Sequence, residues 1–181
     1  MTQQARLCSM QPVPDQSEFR KFAGCYPTGV AVVTTRDGTG ALHGTTMNSV
    51  TSLSLDPPQY LMCFGSESRT LTALLESKIF SINFLAATQD DISRLFASRE
   101  KQKLARVKHW IGTNGTPLLE GVSAACEGHM VGMHVTGDHV VVIGVIDSLF
   151  YTDVEPLIFH RGQYRGVSIV DRCLVPVEKK R

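Results

Sequence analysis

The sequence predicts a mainly β protein, an antiparallel barrel with short helices on its outside. Three observations predict it. Apolar, β-branched runs of strand length recur along the chain, at VAVVTT (30–35), YLMCF (60–64), IFSINFL (79–85) and VVVIGVI (140–146). They follow one another without the regular helical crossovers that a doubly wound parallel sheet requires. Helical spacing appears only in short stretches between them.

The chain has 181 residues, 43% of them hydrophobic and 19% charged. At that size about 70% of the unfolded surface can be buried, so one domain can stand on its core without staples. The composition excludes a disordered chain. A net charge of +1 excludes a broad electrostatic footprint for nucleic acid or anionic lipid. No apolar run approaches the roughly 20 residues of a membrane span, and the start, MTQQARLCSMQPVPDQ, lacks a secretory apolar stretch. A cytoplasmic protein with no membrane or nucleic-acid partner is expected. Cys8, Cys25, Cys63, Cys126 and Cys173 are scattered with no C-x-x-C pair, which suits small buried hydrophobes better than a zinc site or a disulfide framework.

In chain order, residues 1–16 with Pro12 and Pro14 read as a tail, 17–170 as the domain and 171–181 as a second tail. Ser17 is placed to cap a short helix with Phe19, Phe22 and Ala23 on one face, ended by Gly24 and Pro27. The VAVVTT strand turns at Asp37-Gly38-Thr39-Gly40 into a second strand from about Leu42. Ser49 to Leu55 is strand-like until Asp56-Pro57-Pro58 breaks it, and Tyr60 to Phe64 is a buried strand. Thr70, Leu71, Leu74 and Leu75 have helical spacing behind the cap residue Ser68. Phe80, Ile82 and Phe84 alternate onto one face of the next strand. Thr88 and Asp91 form a capping box for a helix with Ile92, Leu95 and Phe96 inward. Residues 98–117 read as loop. The last third is β again over 122–135, 139–151 and 156–170, with Gly137-Asp138 as a hairpin turn. The total is about seven or eight strands.

Several motifs fail on mechanics. Gly38-x-Gly40 with Gly44 has its third glycine one place late and leads into a strand, so a dinucleotide's pyrophosphate would have no helix N-terminus. No P-loop, no H-E-x-x-H and no G-x-S-x-G elbow occurs. His129, His134 and His139 have odd spacing along strand, which throws neighbours to opposite faces, so no metal site is expected.

Two stretches carry chemistry. Residues 44–58 place six hydroxyls and one amide within a strand-like segment. Such a strand is either a solvated edge or a polar wall that hydrogen-bonds a heteroaromatic ligand. Gly65-Ser66-Glu67-Ser68-Arg69-Thr70 ends a strand and opens a helix. It reads as a capped helix start, or as a phosphate seat built from backbone N–H groups, the helix dipole and Arg69.

These residues together resemble the flavin reductase-like family of small FMN-binding split-barrel proteins. The resemblance runs from about Phe19 to Val167. It rests on Pro27-Thr28-Gly29-Val30 and on G-x-T-x-N-S-x-x-S-x-S-x-x-P-P, filled by Gly44, Thr46, Asn48, Ser49, Ser52, Ser54, Pro57 and Pro58. Ser66 with Thr70, Phe96-Ala97, Gly137-Asp138-His139 and Pro156-Leu157-Ile158-Phe159 leading to Gly162 and Tyr164 follow in order. The resemblance implies a six-stranded antiparallel Greek-key split barrel with flanking helices, paired as a homodimer. It implies reduction of FMN or FAD by NADH or NADPH, with reduced flavin passing to a partner monooxygenase, and FMN as the bound flavin. Alternatives are a flavin-binding electron-transfer or sensing protein and a split-barrel oxidase with its own substrate. The flavin contacts carried over are Thr28, Thr46, Asn48, Ser49, Ser66 and Thr70, with Arg69 added on the phosphate reasoning. Phe96 and Ala97 close over the flavin tail, Lys101 or Lys103 meets its phosphate, and His139 stands near the nicotinamide. Departures from the family pattern are Thr45, Val50, the Leu104 after Lys103, and the methionines and histidines of 128–134.

Overall fold

The computed structural model describes residues 15–167. The tail expected over 1–16 and the one over 171–181 lie outside the described residues, apart from Asp15 and Gln16. Seven strands form one antiparallel sheet: β2 (Ala31–Arg36), β3 (Leu42–Met47), β4 (Val50–Leu55), β5 (Pro58–Gly65), β6 (Ile79–Phe84), β9 (Ala124–Thr136) and β10 (His139–Tyr151). Their order across the sheet is β3-β2-β6-β9-β10-β5-β4. β3 and β4 are therefore opposite edges, yet only Asn48 and Ser49 separate them in the chain. Two residues span one step of chain, so the edges must meet there and the sheet must roll into a barrel. The barrel splits where β3 passes into β4, and counting that bent segment once gives the six-stranded closure.

Side-chain alternation organises the core. In β2, Ala31 and Val33 join one apolar cluster with Phe64, Phe80 and Ile82, while Val32 joins a second with Phe96, Leu119 and Leu157. Both faces of β2 are covered, which is why its sequence is a continuous apolar run rather than an alternating one. In β6, Phe80 and Ile82 lie in the first cluster and Phe84 packs against it, the face expected from spacing. Between α2 (Arg69–Ser77) and the sheet, Leu71 and Leu74 are buried, and Ser68 caps the helix through Leu71 N–H at 3.3 Å.

Three local expectations are corrected. Helix α1 (Gln16–Ala23) is capped by Asp15, whose Oδ1 accepts from Glu18 N at 2.9 Å, not by Ser17. It buries none of its residues, and Phe19 and Phe22 are 58% and 73% exposed. Helix α3 (Asp90–Ala97) has Gln89 at its N-cap and no side-chain cap. Gln89 is instead committed elsewhere: its Oε1 accepts from Ala86 N and its Nε2 donates to the Glu120 carbonyl. Residues 98–117, expected as loop, contain a 3-10 turn (Lys103–Arg106) and β7 (His109–Ile111), which pairs with β8 (Pro117–Leu119). Asn114-Gly115 lies in the turn that connects them, with Gly115 at φ +85°, a conformation that suits glycine. The last segment is likewise a short hairpin, β11 (Ile158–His160) with β12 (Gln163–Arg165), and β11 also pairs with β1 (Thr28–Gly29).

The β7–β8 hairpin covers the polar face of β6. Asn83 Oδ1 accepts from Leu119 N at 2.8 Å, its Nδ2 donates to the Val32 carbonyl, and Ser81 and Thr116 share a hydrogen bond. Buried polar groups placed mid-strand are thereby satisfied.

Candidate active site

A cleft of about 960 Å³ opens beside the start of α2. Its walls come from Ala41 to Thr45 on and before β3, Gly65 and Glu67 to Thr70 at the β5–α2 junction, Ser98 to Ala105 after α3, and His109. On β3 every residue from Leu42 to Thr45 borders the cleft, whereas Thr46 faces α3 and its Oγ1 donates to the Ser93 carbonyl at 2.7 Å. Gly44 lets β3 approach α3, because a Cβ there would stand 2.6 Å from the ring of Phe96, itself 1% exposed. His43 Nε2 meets Asp37 Oδ2 at 2.9 Å. Hydrogen bonds from Thr39 and His43 hold the Asp37 carboxyl well below the usual carboxylate range.

Of the residues expected from sequence, the cleft brings together Arg69, Thr70 and Lys103. Arg69 Nη2 donates to the Arg99 and Glu100 carbonyls at 3.1 and 3.3 Å. Lys103 Nζ donates to the Phe96 carbonyl at 2.7 Å. Arg69 thus holds the loop after α3 against α2, Lys103 ties the same loop back to α3, and each keeps further N–H donors for an anion. Burial, and then the nearby Arg69 charge, lower the Lys103 pKa from its ordinary value. Thr70 is buried at 5% exposure.

Ser66 and His139 stand at the rim. His139 pairs with Gly65 across β10 and β5, and Ser66 N donates to the Asp138 carbonyl at 3.0 Å. Asp138 Oδ1 lies 2.7 Å from His139 Nδ1, and that hydrogen bond and charge lower the Asp138 pKa. An ionised carboxylate only accepts, so His139 donates through Nδ1 and leaves Nε2 free. Thr28, Asn48, Ser49, Phe96 and Ala97 do not line the cleft. Ser49 is tied to β5, its Oγ donating to the Cys63 carbonyl at 3.0 Å, while Asn48 and Ala97 are exposed. The Thr28 hydroxyl is the one buried side-chain polar atom among the described residues without a hydrogen-bond partner.

Sequence reasoning did not assign His43 or His109 to the site. No motif marked the first, and the second needed the β7–β8 hairpin. The unusual 128–134 segment lies away from the cleft: Met130 packs on the barrel core and Met133 is 48% exposed. His129 is paired with Asp147 at 2.9 Å. Burial pushes the Cys126 thiol up to about 11, the behaviour of a packing residue, while Cys25 is exposed.

A rolled antiparallel sheet, with two cations and a helix start converging on one cleft, defines a nucleotide-binding split barrel. Residues 23–168 match the flavin reductase like domain, and the chain belongs to that family. An NADH-dependent flavin reductase of Rhodococcus sp is 34% identical over 90% of this chain and 93% of its own length. The flavin-dependent monooxygenase reductase subunit HsaB of Rhodococcus jostii is 37% identical over 84% of this chain and 78% of its own. The Streptomyces globisporus NADH:FAD oxidoreductase SgcE6, solved with NAD and FAD fragments, superposes with a TM-score of 0.83 at 29% identity, covering 88% of this chain and 98% of that one. The chain spans about half (48%) of the length of a Rhizobium meliloti relative that is 37% identical to it. The residues present fit a flavin. The unpartnered Thr28 hydroxyl supplies a donor and acceptor whose isolation otherwise costs about 1–3 kcal/mol, and Arg69 and Lys103 supply charge for a phosphate.

Proposed function

We propose that this chain is an NAD(P)H-dependent flavin reductase that reduces FMN or FAD and delivers reduced flavin to a partner monooxygenase in the cytoplasm. The observation that carries the reading is the junction of β5, β10 and α2. There Gly65 joins the His139 rim to the cleft that holds Arg69 and Lys103. A nicotinamide group near His139 and a flavin phosphate near Lys103 are thus served from one edge of the barrel. The flavin ring, when bound, accepts a hydride from the nicotinamide; the protein's task is to hold both in register. Asp138 fixes the His139 ring so that Nε2 is available to the nicotinamide amide. Thr28, with its unpartnered hydroxyl, and the exposed Asn48 are the expected contacts left free to hold the ring, whereas the Thr46 and Ser49 hydroxyls already donate to the Ser93 and Cys63 carbonyls. The Phe96 ring is packed in the core against Gly44, which leaves the exposed Ala97 beside it to close over the tail, with Thr70 and Ser66 toward the phosphate. The free thiols of Cys25, Cys63 and Cys126 suit a reducing compartment.

A homodimer completes the proposal. Helix α1 buries nothing of its own, and Phe22, Tyr26, Val135, Leu149 and Tyr151 are 62% or more exposed. Apolar surface on that scale favours a second copy of the chain. No helix among the described residues is long and apolar enough to cross a membrane.

The test is steady-state oxidation of NADH and NADPH with and without added FMN or FAD. Saturable flavin-dependent turnover is expected; tight flavin binding with no turnover would reject the reductase reading. His139→Ala should raise KM for the nicotinamide several-fold and leave flavin affinity close to wild type. A fall in flavin affinity would remove His139 from the nicotinamide side.

The Lys103 pKa also sets a pH dependence. The protonated ammonium attracts phosphate, and burial lowers the pKa of the free protein, whereas a bound phosphate raises it. Flavin affinity should therefore be full below the free-state pKa and fall as pH rises through it, levelling above the pKa of the complex. The fall should begin below the range of an ordinary lysine. Titrating flavin affinity against pH in wild type and Lys103→Ala checks this, and equal slopes for the two would exclude Lys103.

A further inference from the structure

A second cavity, of about 760 Å³, lies between α1 and the tip of the β11–β12 hairpin, apart from the cleft beside α2. Arg20, Lys21 and Arg161 stand on its walls, with no carboxylate among the described residues that line it. Lys21 is paired with Glu18, so the two guanidiniums set the character of the wall. Arg161 is held at φ +49°, in the left-handed region, and its N–H donates to the Gly24 carbonyl at 2.9 Å. That bond pins the hairpin tip to the end of α1 and brings cations from two segments to one space. The cavity adjoins the reaction site on two sides. Cys25 on its wall is three residues from Thr28, at most about 11 Å of chain. Thr28 pairs with Phe159, two residues before Arg161. On the other side, the Asp138 carboxyl is held below its usual range first by His139 and more weakly by the charge of Arg20, which sets Arg20 within electrostatic reach of the His139 rim.

We propose that this cavity takes the adenosine 2′-phosphate of NADPH, making NADPH the preferred reductant of this chain. The proposal rests on the flavin-reductase reading above and names its co-substrate. Discrimination between the two nucleotides turns on one group. A carboxylate accepts from the free ribose 2′-hydroxyl of NADH and repels a phosphate, whereas an arginine accommodates the 2′-phosphate. A guanidinium does so with paired N–H donors and a permanent charge. The wall here has the second composition and lacks the first. A dinucleotide whose nicotinamide meets His139 reaches this wall past Arg20, with Ser17 as an uncharged hydroxyl beside it.

The experiment measures NADP+ and NAD+ dissociation constants by calorimetry on the full chain, and kcat/KM for NADPH and NADH with FMN added. NADPH is expected to be favoured roughly tenfold or better in both. Arg20→Gln, and independently Arg161→Asn, which removes the charge with a residue that tolerates the left-handed backbone, should each narrow that ratio several-fold by weakening NADPH. The exposed Cys25 thiol supplies a readout that needs no turnover. Its alkylation by iodoacetamide, followed on the Cys25 peptide, should slow with NADP+ and far less with NAD+ at equal concentration. Equal use of the two nucleotides, a preference for NADH, or a ratio untouched by both variants overturns the proposal. So does an NADPH preference without protection of Cys25, which would put the 2′-phosphate elsewhere. Selective NADP+ binding without flavin-dependent oxidation of NADPH would defeat the reductase reading and keep the phosphate seat. Flavin-dependent turnover with no nucleotide preference would do the reverse.

Discussion

Gly128→Ala should cost roughly 3 kcal/mol of folding stability or more, while Gly132→Ala on the same strand should stay within about 1 kcal/mol of wild type. The difference lies in what a methyl group meets. At Gly128 a Cβ would enter the shell of the Val145 backbone carbonyl and stand 2.8 Å from Cζ of Phe80. Phe80 is fully buried, and a strand carbonyl in a paired ladder cannot retreat. Gly144 presses on the same ring from β10, so Phe80 is held between two strands by two missing side chains. At Gly132 the nearest atom is Ile143 Cβ at 3.9 Å, an ordinary contact. Urea unfolding of both variants gives the comparison; equal midpoints would show that β9 can shift to admit the methyl group.

Glu127→Ala should lose about 3 kcal/mol as well, through a different cause. The carboxylate is 5% exposed and accepts from the Asn114 N–H at 2.9 Å and from the Thr113 and Ser148 hydroxyls at 3.0 Å each. Asn114 in turn donates to the Phe80 carbonyl at 3.1 Å, so Glu127 ties the β7–β8 turn to the barrel. Removing it deletes three hydrogen bonds to one charged acceptor at once and leaves the half-buried Asn114 N–H unpaired, which costs more than deleting one donor. Ser148→Ala should cost about 1 kcal/mol. Hydrogen exchange at the Asn114 amide should accelerate in Glu127→Ala ahead of the global transition. If Glu127→Ala were no worse than Ser148→Ala, the carboxylate would be incidental to the turn.

Local chemistry made much of this molecule legible in its sequence. Phe80, Ile82 and Phe84 declare a strand face because side chains alternate wherever backbone is extended, whatever packs against them. Ser68 declares a helix start because its hydroxyl needs only the N–H three residues on. Gly137-Asp138 marks the β9–β10 hairpin, and the order of the glycine, hydroxyl and proline positions from Thr28 to Tyr164 carries the family. Arg69 was singled out because a phosphate seat is built from residue types the sequence displays, Thr70 and Lys103 through the family resemblance, and all three line one cleft.

Other features depended on partners distant in sequence. Gln89 takes the N-cap position in place of the expected Thr88, and its side chain is held by the Ala86 N–H and by the Glu120 carbonyl, which arrives from the far side of the β7–β8 hairpin. The apolar face of α1 was readable, but not that the barrel leaves it exposed. Asn48-Ser49 looked like the middle of one polar strand; that they bridge the two edges of a rolled sheet follows only from the pairing order. The cleft itself joins His43, Arg69, Lys103 and His109 from four separate segments. Periodicity and turn chemistry act over a few residues and so determined the elements and the family. Which edges close, which polar groups are satisfied and where a cavity remains depend on packing summed over the whole chain, and only the tertiary structure decided them.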